Sequence, residues 1–468
     1  MTRTRVLLLV TVGLGLAIAL PFLAAAGWRA AYKAGKAGAF SGRGTVVMVV
    51  LDNVRADHTS LCGYARPTTP NLEALAREGV HTCRAYAPGT WTLPSHASYF
   101  TGVPMLDHGA HELPVVDAEL ASASYARGTG IPIRGLDDKL PTIAEQMASR
   151  GYQTAIVSAN PVVGKESGLA RGFRHGVVSP SFGALMDERV VGAVADTLRD
   201  DLDPLGGPLF LFVNLAEAHQ PWAAVPEGVG WVPARDTLKF HSSSANNPWY
   251  HFPPPEEPSA ERDAFLGHLT DVYDYGIWRA DRSLGAVLDL LRARGWCGSD
   301  CRVVVTSDHG ELLGEHGLID HGFYPWEGNA RVPLVATGTR EAAIEEPFPG
   351  TLVHALALDG TTAGARPGVS QAAFGQAHRA RASGGRFYAE RMTAAWAGTV
   401  KWVWQGALLA KYDLAVDPAE THPLPADDAP PAFTSLRERT RDFSAGQGGD
   451  DALREQLEAA GYLEPAPP

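Results

Sequence analysis

The run Thr45-Val-Val-Met-Val-Val-Leu51 carries no polar alternation, and it ends at once in Asp52-Asn-Val-Arg-Ala-Asp57-His58. A strand wetted on one side alternates apolar with polar side chains, whereas a continuous β-branched run suits a strand buried on both faces of a parallel sheet. The same grammar recurs at Thr154-Ala-Ile-Val-Ser158, Leu209-Phe-Leu-Phe-Val-Asn-Leu215, Arg302-Val-Val-Val-Thr-Ser307 and Val332-Pro-Leu-Val-Ala336. Helical patterns lie between these runs, at Pro70 to Gly79, Leu140 to Gly151, Ala184 to Leu202 and Val272 to Gly295. The alternation predicts an α/β fold with a large, mostly parallel central sheet flanked by helices.

In open α/β sheets ligands gather beyond the carboxyl ends of the strands. Here those ends deliver Asp52, then His219 after the Leu209 run, then Asp308-His309 after the Arg302 run. A reactive hydroxyl is offered by Trp91-Thr-Leu-Pro-Ser-His-Ala-Ser-Tyr-Phe-Thr-Gly102, where Thr92 stands at an N-cap, Pro94 suits a first helical turn and Gly102 supplies the stop. The amide groups and dipole of such a helix point at any anion that meets the threonine. Asp52, Thr92, Asp308 and His309 together make a candidate site for one divalent cation (Ca, Mg, Mn or Zn). A cation there lowers the pKa of the Thr92 hydroxyl, which is otherwise inert near neutral pH.

With 45% apolar and 20% charged residues the chain is globular, and a net charge of −12 argues against nucleic acid as a partner. Residues 1–28 read as a membrane anchor or signal peptide, because Val6 to Trp28 is an uncharged run long enough to cross a bilayer. Its length favours an uncleaved anchor, while Ala24-Ala-Ala26 before Gly27 offers a cleavage site. Arg29, Lys33, Lys36 and Arg43 follow the span and only Arg3 and Arg5 precede it, which opposes simple export. Of four cysteines, Cys297 and Cys301 bracket Gly-Ser-Asp and invite a local bridge, and Cys62 and Cys83 are buried thiols or a second bridge.

From Thr45 nearly to the C-terminus the chain resembles the sulfatase branch of the alkaline phosphatase superfamily. The resemblance rests on Val-Leu-Asp52-Asn-Val-Arg55, Thr69-Pro-Asn-Leu-Glu-Ala-Leu-Ala, Thr92-Leu-Pro-Ser-His96, Leu215-Ala-Glu-Ala-His219-Gln-Pro-Trp, Thr306-Ser-Asp-His-Gly-Glu311, Arg331-Val-Pro-Leu and Tyr412-Asp-Leu-Ala-Val-Asp-Pro-Ala-Glu420. It implies a metal-dependent hydrolase of sulfate or phosphate esters, with a catalytic domain over 45–345 after a linker at 29–44, and an α+β subdomain and tail over 346–468. The substrate it implies is an anionic ester on a glycan, a lipid headgroup or a small molecule.

The departures bear on the chemistry. Family sulfatases carry a Cys or Ser that is oxidised to formylglycine, and Thr92 can give only a ketone. The family's Gly-Lys-Trp-His-Leu-Gly segment is replaced by Ser158-Ala-Asn160-Pro-Val-Val-Gly164, the second acid of the usual pair is Asn53, and His96 stands where an arginine is usual. A threonine beside an Asp-His pair resembles instead the superfamily's phosphodiesterases and its phosphoethanolamine and phosphoglycerol transferases, so phosphoryl chemistry through a Thr92 nucleophile is favoured. Alternatives are a membrane transferase of that type, or a non-catalytic binding protein that keeps the fold. His219 and His321 are read as catalytic, His321 standing roughly where the family places a substrate-binding lysine. Arg55, Asn53, His96 and Asn160 are read as substrate contacts, Arg55 with the alternative of pairing with Asp57. His108, His111 and His316 are read as structural or rim residues. The aromatic-rich stretch from Pro221 to Pro258 is expected to wall the substrate pocket, and Ala452 to Tyr462 to form a short amphipathic helix.

The expected location is a membrane-anchored catalytic domain outside the cytoplasm, or a secreted one if the signal is cleaved. The mature protein should stay membrane-bound in high salt with its N-terminus intact, and protease added to sealed cells should reach the globular part. A soluble product that begins at Gly27 would show a cleaved signal instead.

Overall fold

The computed structural model describes residues 44–111, 134–203, 206–226, 229–232, 259–322, 324–363, 370–373, 392–405, 408–426, 428–431 and 433. The N-terminal apolar span, most of the aromatic-rich stretch (Trp249 and Tyr250 included) and the C-terminal helix lie outside them. Among the described residues no helix is long and apolar enough to cross a membrane.

The expected runs become strands β1 (Val46–Leu51), β3 (Gln153–Ser158), β5 (Leu209–Leu215) and β6 (Arg302–Thr306), and two strands the runs do not mark, β2 (Val80–Tyr86) and β4 (His175–Val178), join them. A two-stranded hairpin of β7 (Leu312–Leu313) and β8 (Ile319–Asp320) follows, then β9 (Arg331–Thr337) and β10 (Phe348–Pro349). The large sheet has the order β10-β2-β9-β6-β1-β5-β3-β4. Parallel pairing joins β1 to β5 and β6, β3 to β4 and β5, and β10 to β2, while β9 runs antiparallel to both β2 and β6. The expected mostly parallel α/β sheet is therefore present.

Every residue of β1 and β5 is buried, as their unbroken apolar sequences require. Val47, Val49 and Leu51 face a layer that includes the long helix Ala260–Ala293 and the helix Glu188–Asp196, and Val46, Met48 and Val50 face one that includes the helices Thr92–Thr101 and Val353–Asp359. The central strand thus holds helices to both faces, and its C-terminal end is fixed from either side.

Three expectations shift. The last long helix begins at Ala260 and not near Val272, because Ser259 caps it by accepting the Arg262 N–H and because Glu261 and Asp263 favour its positive end. The main unit extends past residue 345, since β10 pairs with β2 and the helix Val353–Asp359 packs into the core beneath β1. Both cysteine pairs are disulfides, Cys62–Cys83 and Cys297–Cys301.

Beyond these elements β11 (Ser370–Ala373), β12 (Met392–Ala397), β13 (Val400–Gln405) and β14 (Leu408–Asp413) form an antiparallel sheet. It is joined to the main unit by Lys401, which is wholly buried. The Lys401 ammonium donates to the Pro325 carbonyl at 2.6 Å and lies 2.5 Å from Glu420 and 3.4 Å from Glu327. Glu327 also accepts from the Trp396 indole at 2.9 Å and the Tyr86 hydroxyl at 3.2 Å. Removing the ammonium would leave two carboxylates buried without their cation, a change that typically costs about 3–5 kcal/mol. Lys401→Ala should lower the urea midpoint accordingly; an unchanged midpoint would show that the two units do not depend on this pair.

Candidate active site

The loop after β1 and the loop after β6 are sewn together before either presents a functional group. The Ser307 hydroxyl accepts from the Val54 amide and donates to the His309 carbonyl, at 2.8 and 2.7 Å. Tyr99 donates to the Ser307 carbonyl at 2.7 Å and Tyr273 to the Asn53 carbonyl at 2.8 Å. The Asp308 Oδ1 atom accepts from the backbone amides of Asn53 and His309, each at 3.0 Å. Asn53 sits at φ 65°, a left-handed position that asparagine tolerates better than most residues. At Gly310 an added Cβ would lie 2.1 Å from the Gly328 carbonyl, so only glycine lets the chain pass there.

These constraints leave a concentrated set of acceptors. Asp52 Oδ1, Asp308 Oδ2, His309 Nε2 and Asn53 Oδ1 are all buried and have no hydrogen-bond partner. His309 Nε2 lies 3.4 Å from Asp308 Oδ2 and 3.9 Å from Asp52 Oδ1. The His309 Nδ1–H is committed to the Gly310 carbonyl at 3.0 Å, which turns the lone pair of Nε2 towards the two carboxylates. Burial and the nearby His321 hold the His309 imidazole well below its usual value, while burial and the Asp52 charge push the Asp308 carboxyl well up. Asp52, Asp308 and His309 thus form a candidate metal-ligand group. Oxygen and imidazole donors of this kind suit a divalent cation, and these residues fit one.

Thr92 is the first residue of the helix Thr92–Thr101, one position further in than the expected N-cap. Its Oγ1 accepts from the Asn160 amide nitrogen at 3.0 Å, and the same nitrogen donates to Asp52 Oδ2 at 2.7 Å. Gly102 ends the helix at φ 71°, as the sequence implies.

Three imidazoles line up beside this centre. His321 stacks on His309 at 4.3 Å between centroids and meets His219 edge-on at 5.0 Å, and His219 lies flat on Phe182 at 4.3 Å. His321 Nδ1 donates to Glu311 at 3.1 Å. Burial opposes a charge there, but Glu311, its hydrogen bond and Asp320 outweigh burial and push His321 up to about 9. His219 is driven the other way, to about 4, chiefly by burial. One imidazole is therefore held as a cation and its neighbour as a neutral ring, a separation suited to acid and base roles.

Some expected substrate contacts are occupied otherwise. The Arg55 Nε and Nη2 atoms donate to the two Asp57 oxygens at 2.9 and 2.8 Å, and its Nη1 to the Glu311 carbonyl at 2.9 Å and to Glu315 at 2.6 Å. Its charge is spent within the protein, which favours the pairing alternative. His96 is fully buried against Phe100 and Phe212 and donates from Nδ1 to the Thr92 carbonyl at 2.9 Å, so it backs the helix that begins at Thr92. The two N–H groups of Asn160 are engaged with Thr92 and Asp52. The Asn53 amide nitrogen donates to Glu311 at 2.5 Å and to the Ala218 carbonyl at 3.3 Å. His108 is structural, linking Ser98 and Pro94 across the helix, and His316 is exposed and stacked on Trp326.

Sequence reading missed Glu311 as the partner of His321, and it missed Asn214. The signal for the second was present, since Asn214 is the one polar residue of Leu209–Leu215.

The sequence model of the family described as Sulfatase matches residues 44–344, well over half of the chain. The chain belongs to the sulfatase family. As such it is an ester hydrolase, in agreement with the resemblance drawn from its motifs. Among solved structures it is similar to a phosphonate monoester hydrolase of Agrobacterium radiobacter at 18% identity and TM-score 0.55, over 90% of this chain and 97% of that one. It is also similar to the protein BT4656, solved with its substrate D-glucosamine-2-N,6-O-disulfate, at 15% identity and TM-score 0.57 over 91% and 99% of the two chains. A 2-O glycosaminoglycan sulfatase aligns at 14% identity and TM-score 0.56 over 90% and 94%. At such identities these likenesses establish the fold. A search of curated protein sequences returns no match.

A sulfatase-family site with four buried unpartnered acceptors should depend on a cation. Exhaustive chelation is expected to abolish turnover and re-addition of one divalent metal to restore it, with Asp308→Ala behaving like the chelated enzyme. Full activity in a verified metal-free sample would end this assignment.

Proposed function

We propose that the chain is an exported, metal-dependent ester hydrolase whose nucleophile is unmodified Thr92 and whose preferred substrates are phosphate esters. The observation that carries the reading is the bridge from Thr92 Oγ1 through the Asn160 amide to Asp52, which sets an ordinary hydroxyl beside the acceptor cluster. The methyl group on the threonine β-carbon bars the aldehyde on which the usual sulfatase chemistry depends. The lysine and histidine that the family brings to sulfate are also absent from Ser158 to Gly164.

Asp52, Asp308 and His309 would hold a divalent cation, which when bound would supply positive charge that favours the ionised Thr92 hydroxyl. Thr92 Oγ then attacks phosphorus in line, and the new oxygen–phosphorus bond forms as the bond to the departing oxygen breaks. His321, held as a cation by Glu311, gives its Nε2 proton to that departing oxygen. Water next attacks the threonine ester, losing a proton to His321 and releasing the Thr92 oxygen. An acceptor alcohol in the place of water would make the same chain a transferase.

The substrate is an anionic ester on a glycan, a lipid headgroup or a small molecule. Two disulfides support a location in an oxidising compartment, and the Val6 to Trp28 span is read as the tether that keeps the catalytic unit at a membrane outside the cytoplasm.

Thr92→Ala should remove the nucleophile and leave fold and metal binding in place, so the loss should fall on kcat. Thr92→Ser should keep part of the activity. The measurement is kcat/KM on matched aryl phosphate diester, phosphate monoester and sulfate ester, with peptide mass spectrometry of position 92. A wild-type enzyme that favours the sulfate ester with Thr92 unmodified would overturn the phosphate preference. His321→Ala should slow esters with poor leaving groups by about 100-fold or more while sparing aryl esters; equal losses on both would remove His321 as the acid.

A further inference from the structure

Asn214 is an amide at the penultimate position of a strand whose other residues are apolar, and it is wholly buried. Its Nδ2 donates to Asp52 Oδ2 at 2.9 Å, and its Oδ1 accepts the backbone amide of Asn160 at 3.1 Å. Asn160 in turn gives Nδ2 to Asp52 Oδ2 and to Thr92 Oγ1, while its Oδ1 accepts the Val162 amide at 2.9 Å. The Val162 amide can only donate, so the oxygen of Asn160 must face it and the nitrogen must face Asp52 and Thr92. The Asn160 backbone amide fixes the Asn214 side chain in the same way. Neither amide can flip without breaking two hydrogen bonds.

We infer that Asn214 is a positioning residue for the reaction, acting with Asn160 as a two-amide clamp that fixes Asp52 and, through Asn160, the Thr92 nucleophile; the inference rests on the site reading above. Two N–H donors converge on Asp52 Oδ2 and leave Oδ1 unpartnered beside His309. The carboxylate is thereby rotated so that one oxygen serves the protein and the other serves a cation. The remaining N–H of Asn160 donates to Thr92 Oγ1, and a neutral amide donor strengthens that bond as the oxygen gains negative charge. Asn214 touches neither substrate nor nucleophile. Its effect passes through Asp52 and through the backbone of Asn160.

The test uses the full chain, stripped by chelation and then titrated with Mn2+ by calorimetry, with turnover of bis(p-nitrophenyl) phosphate measured at saturating Mn2+. Asn214→Leu fills the strand position with an apolar side chain of similar size, and Asn160→Ala removes the other amide from outside the strand. Thermal melts of the metal-free proteins establish that each variant folds. Each variant is expected to weaken Mn2+ binding roughly 10- to 100-fold and to keep a lowered kcat at saturating Mn2+ with KM within about twofold of wild type. The double variant should lose little more than the worse single one, because the two amides act as a unit. A purely structural role would lower the melting temperature and leave Mn2+ affinity and kcat alone. If Asn214→Leu does not fold, Asn160→Ala decides by the same readouts. A folded variant with wild-type Mn2+ affinity and kcat, beside a wild-type enzyme that needs Mn2+ and Thr92, overturns the inference alone. A stripped wild-type protein that binds no Mn2+, or a fully active Thr92→Ala, overturns the site reading and the clamp with it.

Discussion

Two buried carboxylates, Asp52 and Asp308, converge on one imidazole nitrogen, and the atoms that face each other are acceptors without donors. An arrangement of this kind costs several kcal/mol per unpaired charge in a protein interior, so it persists only where a cation restores the balance. The strongest cation close to the cluster is the His321 imidazolium, and Glu311 and Asp320 already claim it. Arg55, the other charge in reach of these loops, is neutralised by Asp57 and Glu315. Among the described residues these nearby positive charges are paired elsewhere, and the cluster is a candidate site for an external cation.

The sheet makes that possible. Asp52 ends β1, Asn214 lies one residue from the end of β5, and Asp308-His309 follow β6, so three adjacent strands in one parallel run bring their C-terminal ends to the same edge. Because β1 is packed on both faces, Asp52 cannot relax towards water, and its two oxygens must find different partners. Asn160 and Asn214 take one, and the ligand group takes the other. The helix that begins at Thr92 enters from a separate segment after β2, and its register against this edge is set by Asn160, by His96 behind it and by Tyr99 reaching the Ser307 carbonyl.

Strand positions and the anionic ligands were legible in the sequence because both follow from simple rules. An unbroken apolar run marks a strand buried on two faces, and the residue that follows it marks the ligand edge. Asp52, His219, Asp308 and His309 emerge as candidates from that reading, and Thr92 from the helix-start pattern after Trp91. Partner choice was not legible. Nothing local distinguishes an Arg55 that meets substrate from one that bonds Asp57 and Glu315, since the second partner lies 260 residues away. Asn214 was passed over because one polar residue in an apolar strand reads as noise until the strand beside it is known. The early start of the long helix was hidden for a different reason: its first turns carry Glu261, Arg262 and Asp263, and the apolar periodicity that flags a helix becomes clear only further along.

The choice of threonine then has a structural consequence beyond the loss of the aldehyde. A hydrated aldehyde brings two hydroxyls to its reaction, so that one can attack and the other can later assist departure. A threonine brings one, and it must be activated, held in line and released by its surroundings. In this site those duties are divided among neighbours of different charge: a ligand cluster fit for a cation on one side, a neutral amide donor from Asn160 on the oxygen itself, and a cationic imidazole in His321 at the neighbouring rings. Two neutral amides lie at Asp52 and an imidazolium lies beside His309, while the segment from Ser158 to Gly164 carries neither lysine nor histidine. The positive charge is thereby concentrated at the metal position and at His321. Under the proposed reading, that distribution suits a phosphate monoester dianion, which carries one more negative charge than a sulfate monoester.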